Sequence, residues 1–215
     1  MEDNTSKKLK TSAGPQPAPT PTVGCGVATP YELDEVWTHA SCQDGLAAVV
    51  VALMHRLLLK SFGATAAKPL EFRFMSHGDP MPSAKGLRVA MFDFTPTAAE
   101  LRVIVGDAAA FYLADHHEGA DETIKQFARW CTFDNDRAGC LLAFRYFFPE
   151  AIPEGVPDWV QHISNRDLWR FDAAGVTRAV CEWLYTFAPF RPQGLLSFLV
   201  LGPHAENVSE ASIAL

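Results

Sequence analysis

Short apolar runs that stop abruptly at polar residues recur along this chain, and stretches with helical spacing separate them. EVWTHA (35–40), EFRFMS (71–76), GLRVAMFDF (86–94) and AAFYLADHH (109–117) are rich in branched and aromatic residues, which predicts strands. Helix-length segments follow: GLAAVVVALMHRLLLK (45–60), AAELRVIV (98–105), DETIKQFARW (121–130), RAGCLLAFRYFF (137–148), VPDWVQHISNRDLW (156–169) and AAGVTRAVCEWLYTF (173–187). Their boundaries carry start and stop signals. Thr95, Pro96 and Thr97 open the second, Asp121 caps the third, Pro149 closes the fourth and Pro157 stands in the first turn of the fifth. The run GLLSFLVLG (194–202) fits a strand or a helix equally.

Strands apolar on both faces and spaced by helices predict a three-layer α/β fold, a mostly parallel sheet with helices on both faces. Ligands of such sheets bind beyond the carboxyl ends of the strands. All four strand-like runs end at, or just before, a residue able to bind a ligand: His39, His77, Asp93 and the Asp115–His116–His117 triplet.

Residues 1–29 read as a disordered, Pro-rich tail, since SAGPQPAPTPTVG has no apolar periodicity. Its Lys7, Lys8 and Lys10 serve solubility or form a targeting patch. Residues 30–190 read as a single α/β domain. Residues 191–215 form a C-terminal extension, readable as the remnant of a linker to a second domain. With 48% hydrophobic and 20% charged residues the chain has material for one well-buried core. The longest apolar run is broken by His55 and Arg56, so no membrane span is expected, and the N-terminus lacks a secretory apolar segment. Five cysteines without close pairing predict free thiols and a cytoplasmic setting. A net charge of −7 argues against long duplex nucleic acid as partner and leaves short nucleotides open.

The candidate chemistry lies in carboxylates and imidazoles. In THASCQDG, His39 is a metal ligand or a hydrogen-bonded core histidine, and Asp44 a ligand or a helix cap. Asp93, after VAMF, is a turn aspartate or a carboxylate bridging two cations. In the triplet, adjacent histidines point apart, so one can ligate metal while the other faces substrate. Asp167 stands at a helix C-terminus, where its charge needs compensation by Arg166 or by a metal. DNDRAG (134–139) suits a turn, with Arg137 able to face a phosphate, and HGDP (77–80) reads as a turn, with His77 lining the cleft as the lesser alternative. No zinc knuckle, Walker sequence, dinucleotide glycine fingerprint or serine-hydrolase elbow occurs. Mixed oxygen and imidazole donors suit Mn2+, and Mg2+ less well, with zinc and iron left open.

Taken in order, HASCQDG, VAMFDF, LADHH, DRAGC and ISNRDLW resemble the DHH phosphoesterase superfamily, over roughly residues 35–171. The superfamily includes single-strand exonucleases, short-oligonucleotide phosphodiesterases and manganese pyrophosphatases. The resemblance implies one metal site from Asp44, Asp93, His116 and Asp167, and part of a second from His39 and Asp93, with Asp93 bridging two Mn2+ ions. It implies that Asp115 supports the histidines, that His117 contacts the scissile phosphate and aids the leaving oxygen, and that Arg137 approaches substrate. Two departures stand out. Cys42 occupies a position where relatives usually carry an aspartate. The residues after Trp169 are too few for the separate substrate-gripping domain of many relatives, so an oligomer or a partner chain would supply it. The implied activity is metal-dependent hydrolysis of a phosphodiester or phosphoanhydride in a small nucleotide or short oligonucleotide. The alternative is a non-catalytic or weakly active nucleotide-binding interaction module.

Overall fold

The computed structural model describes residues 24–63, 69–151 and 155–187. Six parallel strands form one sheet: β1 (Gly26–Val27), β2 (Glu35–His39), β3 (Glu71–Met75), β4 (Arg88–Phe92), β5 (Ala110–Asp115) and β6 (Cys131–Phe133). The order from one edge is β3-β2-β4-β5, and β1 and β6 both pair with β5. β1 takes Ala110 and Phe111, β6 takes Leu113 to Asp115, so the two share the far edge of β5 end to end. The chain leaves β2 for the β3 edge and then returns to the other side of β2 as β4. That reversal opens a crevice beyond the carboxyl ends of β2 and β4.

Both faces of the sheet are buried, as the unbroken apolar runs require. Val36, Ala90, Phe92 and Ala114 face one core, and Trp37, Val89, Met91, Phe111 and Leu113 the other. The first core is covered by α1 (Gln43–Ser61), α4 (Gly139–Phe147), α5 (Asp158–Asp167) and α6 (Val176–Phe187). The second is covered by α2 (Ala98–Asp107) and α3 (Ala120–Gln126). α1 is buried on nearly every side from Gln43 to Leu53, which explains why its sequence is apolar all round rather than striped. α2 opens on a full capping box. Thr97 Oγ1 accepts from Glu100 N–H, and Glu100 accepts from Thr97 N–H at 2.8 Å.

The three-layer architecture is the predicted one, with three local differences. The sheet already includes Gly26 and Val27, inside the stretch read as tail. α3 ends at Gln126, short of Trp130. Trp130 and Cys131 turn into the second core, where the Trp130 carbonyl accepts from Leu113 N–H and the strand continues as β6. Three residues are too few to show a strand period. Residues 1–23 of the tail, the 194–202 run and the C-terminal extension lie outside the described residues. No helix among the described residues is long and apolar enough to cross a membrane.

One buried charge ties the edge strand to the sheet. Glu35, at the start of β2, is 4% exposed. It accepts from the Trp37 indole at 2.6 Å and from Arg73 of β3 at 2.5 and 2.9 Å. The Arg73 bonds hold its carboxyl below the ordinary value of 4.5, against the opposing effect of burial. A depressed carboxylate stabilises the fold above its unfolded pKa and loses that contribution as pH falls through the folded value. Arg73 is 43% exposed, so screening reduces the effect. Glu35→Gln is therefore expected to lower stability by about 1 kcal/mol at neutral pH. The gap to wild type should close as pH drops below about 4.5. Urea unfolding at neutral and acidic pH checks both; a gap that widens on acidification contradicts the assignment.

Candidate metal centre

The carboxyl ends of β2, β4 and β5 bring their terminal polar residues into the crevice. Asp93 directly follows β4 and has φ 60°, in the left-handed region that aspartate tolerates and bulkier residues avoid. Its N–H still donates to Ala114 O at 3.2 Å, so the β4–β5 ladder runs one step further before the chain turns. The side chain is 1% exposed. Two glycines make room for it. A Cβ on Gly45 would lie 2.5 Å from His39 O and 3.2 Å from Asp93 Oδ2. A Cβ on Gly139 would collide with Asp93 Cβ and lie 2.9 Å from its Cα. The first turns of α1 and α4 thus close on Asp93 from two sides.

Asp44, in the first turn of α1, is 1% exposed and does not cap its own helix. Its oxygens accept from the N–H groups of Gly139 at 2.5 Å and Cys140 at 2.9 Å, the start of α4. Those donors offset part of the cost of burying the carboxylate. Burial, then repulsion from Asp93 and Asp167, still pushes the Asp44 carboxyl well above its ordinary range. Burial pushes Asp93 up to about 7.

Asp115 is also buried, but in a bed of donors. It accepts from His116 N–H at 2.7 Å, His117 N–H at 3.3 Å, His117 Nδ1 at 2.7 Å and Thr95 Oγ1 at 2.6 Å. Burial raises its carboxyl, and the His117 bond with the other donors outweighs that and holds it below the ordinary value. In return the Asp115 hydrogen bond raises His117 to about 9. His117 spends Nδ1 on Asp115, so Nε2 is the nitrogen left for a ligand.

His116 is where the carboxylates meet. Its Nε2 lies 3.2 Å from Asp93 Oδ1, 3.3 Å from Asp167 Oδ2 and 3.7 Å from Asp44 Oδ2. Asp167 comes from the C-terminal end of α5, and Arg166 is not its counter-ion, because that guanidinium sits 4.6 Å over the Tyr185 ring. His39, Cys42 and Asp93 form a second group, with donor atoms within 4.8 Å of one another, as are those of Asp44, His116 and Asp167. Burial, then the charges of His117 and His77, lowers the His39 pKa, which favours the neutral imidazole a metal binds. Burial and the neighbouring carboxylates raise the Cys42 thiol.

This Asp/His cluster could coordinate a divalent cation. Three carboxylates converge without a lysine or arginine among them, and the buried Asp93 Oδ2 and Thr38 Oγ1 have no hydrogen-bond partner among the described residues. Oxygen and imidazole donors are the ligands such ions take. A cleft of about 530 Å³ opens beside the cluster, lined among others by His39, His77, Asp93, Asp115 and His117. His77, which reads as a turn residue in the sequence, stacks on Phe94 at 4.7 Å and forms part of that wall. Arg137 does not line this cleft. Its guanidinium pairs with Asp134 at 2.5 Å. The role of Gly139, hidden in DRAGC, becomes visible only once α4 is placed against Asp93.

No family model matches the chain, and no curated protein matches it. Among solved structures, the chain is similar to the crystal structure of an uncharacterized protein from Helicobacter pylori G27. The two are 13% identical with a TM-score of 0.44, over 85% of this chain and 67% of the other.

The close approach at Asp93 makes one substitution do opposite things at two sites. Gly139→Ala drives a methyl into backbone at the cluster and should cost about 1–3 kcal/mol. Gly106→Ala, in α2 with nothing within 4 Å of the new Cβ, should stabilise by about 0.5–1 kcal/mol. Urea denaturation of both variants tests this, and equal effects of the same sign would contradict the packing described.

Proposed function

We propose that the protein is a metal-dependent phosphoesterase of the DHH type, hydrolysing a phosphodiester or phosphoanhydride in a small nucleotide or short oligonucleotide. The observation that carries this reading is the convergence of Asp44, Asp93 and Asp167 on His116 Nε2, within 3.2–3.7 Å, beside a cleft faced by His117. Asp44, Asp93, His116 and Asp167 would hold one cation, and His39 with Asp93 would hold part of a second. When bound, the cations, Mn2+ first and Mg2+ as alternative, polarise the phosphoryl oxygens and lower the pKa of an attacking water.

The chain's own groups account for the remaining requirements. Asp115 fixes the His117 ring through Nδ1 and keeps it protonated, so Nε2 holds a proton to give to the departing oxygen. His117 is 48% exposed in its side chain, which leaves it accessible to substrate while its partner Asp115 is buried. Arg137 is tethered by Asp134 and would reach a phosphate only when that ion pair opens. In this reading the elements from β1 to α6 form the catalytic domain, in a cytoplasmic protein, and an oligomer or partner chain completes the grip on substrate.

One observation favours the second reading, a nucleotide-binding module of little or no activity. Cys42 stands with His39 and Asp93 where the second cation would need an anionic oxygen, and its raised pKa keeps the thiol protonated until a metal displaces the proton. Activity decides between the two. Wild type is expected to hydrolyse bis(p-nitrophenyl) phosphate and a dinucleotide only with a divalent cation, Mn2+ ahead of Mg2+. Asp93→Ala should abolish turnover, and His117→Ala should lower kcat by about 10²–10⁴-fold. Folded protein loaded with Mn2+ that shows no turnover, or the same rate in Asp93→Ala, would overturn the hydrolase reading.

A further inference from the structure

A second pocket, of about 270 Å³, is lined by Arg166, Asp167, Trp169, Phe171, Arg178 and Glu182. Its backbone geometry is unusual. α5 ends in a tight reversal in which Trp169 N–H donates to Arg166 O at 3.0 Å and Arg170 N–H to Asn165 O at 2.7 Å. This is the Schellman pattern, whose reversing residue adopts left-handed φ and is normally glycine. Here it is Trp169, at φ 56°. The indole is 82% exposed, so it does not recover the backbone penalty by burial. A tryptophan held in a disfavoured conformation and displayed to solvent marks a site with a use for the ring.

The surroundings define that use. Phe171 stands edge-on to the indole, with centroids 5.7 Å apart, and fixes its side. Arg178 lies 5.0 Å over the Phe171 ring, and Arg166 lies over Tyr185 and donates to its hydroxyl at 3.2 Å. Neither guanidinium has a carboxylate within ion-pair distance among the described residues. Of the two carboxylates lining the pocket, Asp167 is committed to His116 at 3.3 Å, which leaves two cations facing one exposed glutamate, Glu182. Asp167 is thus a wall shared by the pocket and the metal cluster.

We propose that this pocket is the nucleoside subsite: a nucleobase stacks on Trp169, and Arg166 and Arg178 bind an adjacent, non-scissile phosphate. A planar base needs an open aromatic face, and arginine supplies both charge for phosphate and a flat surface of its own. The shared Asp167 wall brings base and scissile phosphate to one residue. The substrate class rests on the phosphoesterase reading; the ligand chemistry of the pocket rests on the residues above.

Calorimetric titration of the full chain with AMP, and with ribose 5-phosphate as its baseless counterpart, both with Mn2+, tests the subsite. Wild type is expected to bind AMP at least about tenfold more tightly than ribose 5-phosphate. Trp169→Gly should erase that preference while leaving ribose 5-phosphate binding and thermal stability intact, because glycine suits the left-handed position. Arg178→Gln should weaken both ligands alike. Equal affinity for the two ligands in wild type, or a preference that survives Trp169→Gly, overturns the proposal. Dinucleotide turnover without an AMP preference would sink the subsite and spare the hydrolase. An AMP preference that Trp169→Gly erases, without turnover, would sink the hydrolase and support the subsite.

Discussion

Two buried carboxylates forced together, with a third, partly exposed one closing on the same imidazole, are the constraint around which this structure is arranged. Asp44 and Asp93 are each 1% exposed, and Asp167 closes on the same imidazole. Burying even one unpaired carboxylate is costly, and neighbours of like charge add to the cost. The fold meets part of that cost with backbone donors. The start of α4 gives two N–H groups to Asp44, and Asp115 has three donors from the turn after β5 and a fourth, Thr95, from the loop after β4. Asp93 receives no such bed and keeps an oxygen without a hydrogen-bond partner among the described residues. The deficit falls where a divalent ion would sit.

That arrangement explains local features that look unrelated in isolation. Gly45 and Gly139 lie 94 positions apart and both open space against the same aspartate. The left-handed turn at Asp93 ends β4 and turns its carboxylate into the crevice between β2 and β4. α1 can be apolar on all sides because α4, held to it through Asp44, and α5 complete its cover. Stability and site are therefore coupled through the same helix starts, and the edge pairing of Glu35 with Arg73 is independent of them.

Much of this was legible in the sequence because parallel sheets impose a simple rule. Strands apolar on both faces announce a covered sheet, and polar residues at their carboxyl ends announce the crevice. Asp93, Asp115 and His116 sit where that rule puts them, and His39, Asp44 and Asp167 join the same cluster. What stayed hidden depended on distant partners. Asp44 reads as a cap for α1, and only the fold reveals that it caps α4, 95 residues away. β1 and β6 are too short to carry a period, so one was lost in a Pro-rich stretch and the other in the end of a helix. His77 reads first as a turn residue and only second as a wall of the cleft, and its stacking on Phe94 has no local signal. Arg166 sits beside Asp167 in sequence and would compensate it there, yet its guanidinium turns to Tyr185. Cys42 remains the chain's own variation, a thiol among oxygen and imidazole donors.

We propose that Asp44, Asp93, His116 and Asp167 together hold a divalent cation. Anomalous diffraction at the manganese edge, from crystals of the full chain grown with Mn2+, tests it most directly. An anomalous peak is expected within bonding distance of oxygens from these aspartates and of His116 Nε2. Density that leaves the cluster empty of metal at saturating Mn2+, with the carboxylates paired to protons or to one another, would contradict it.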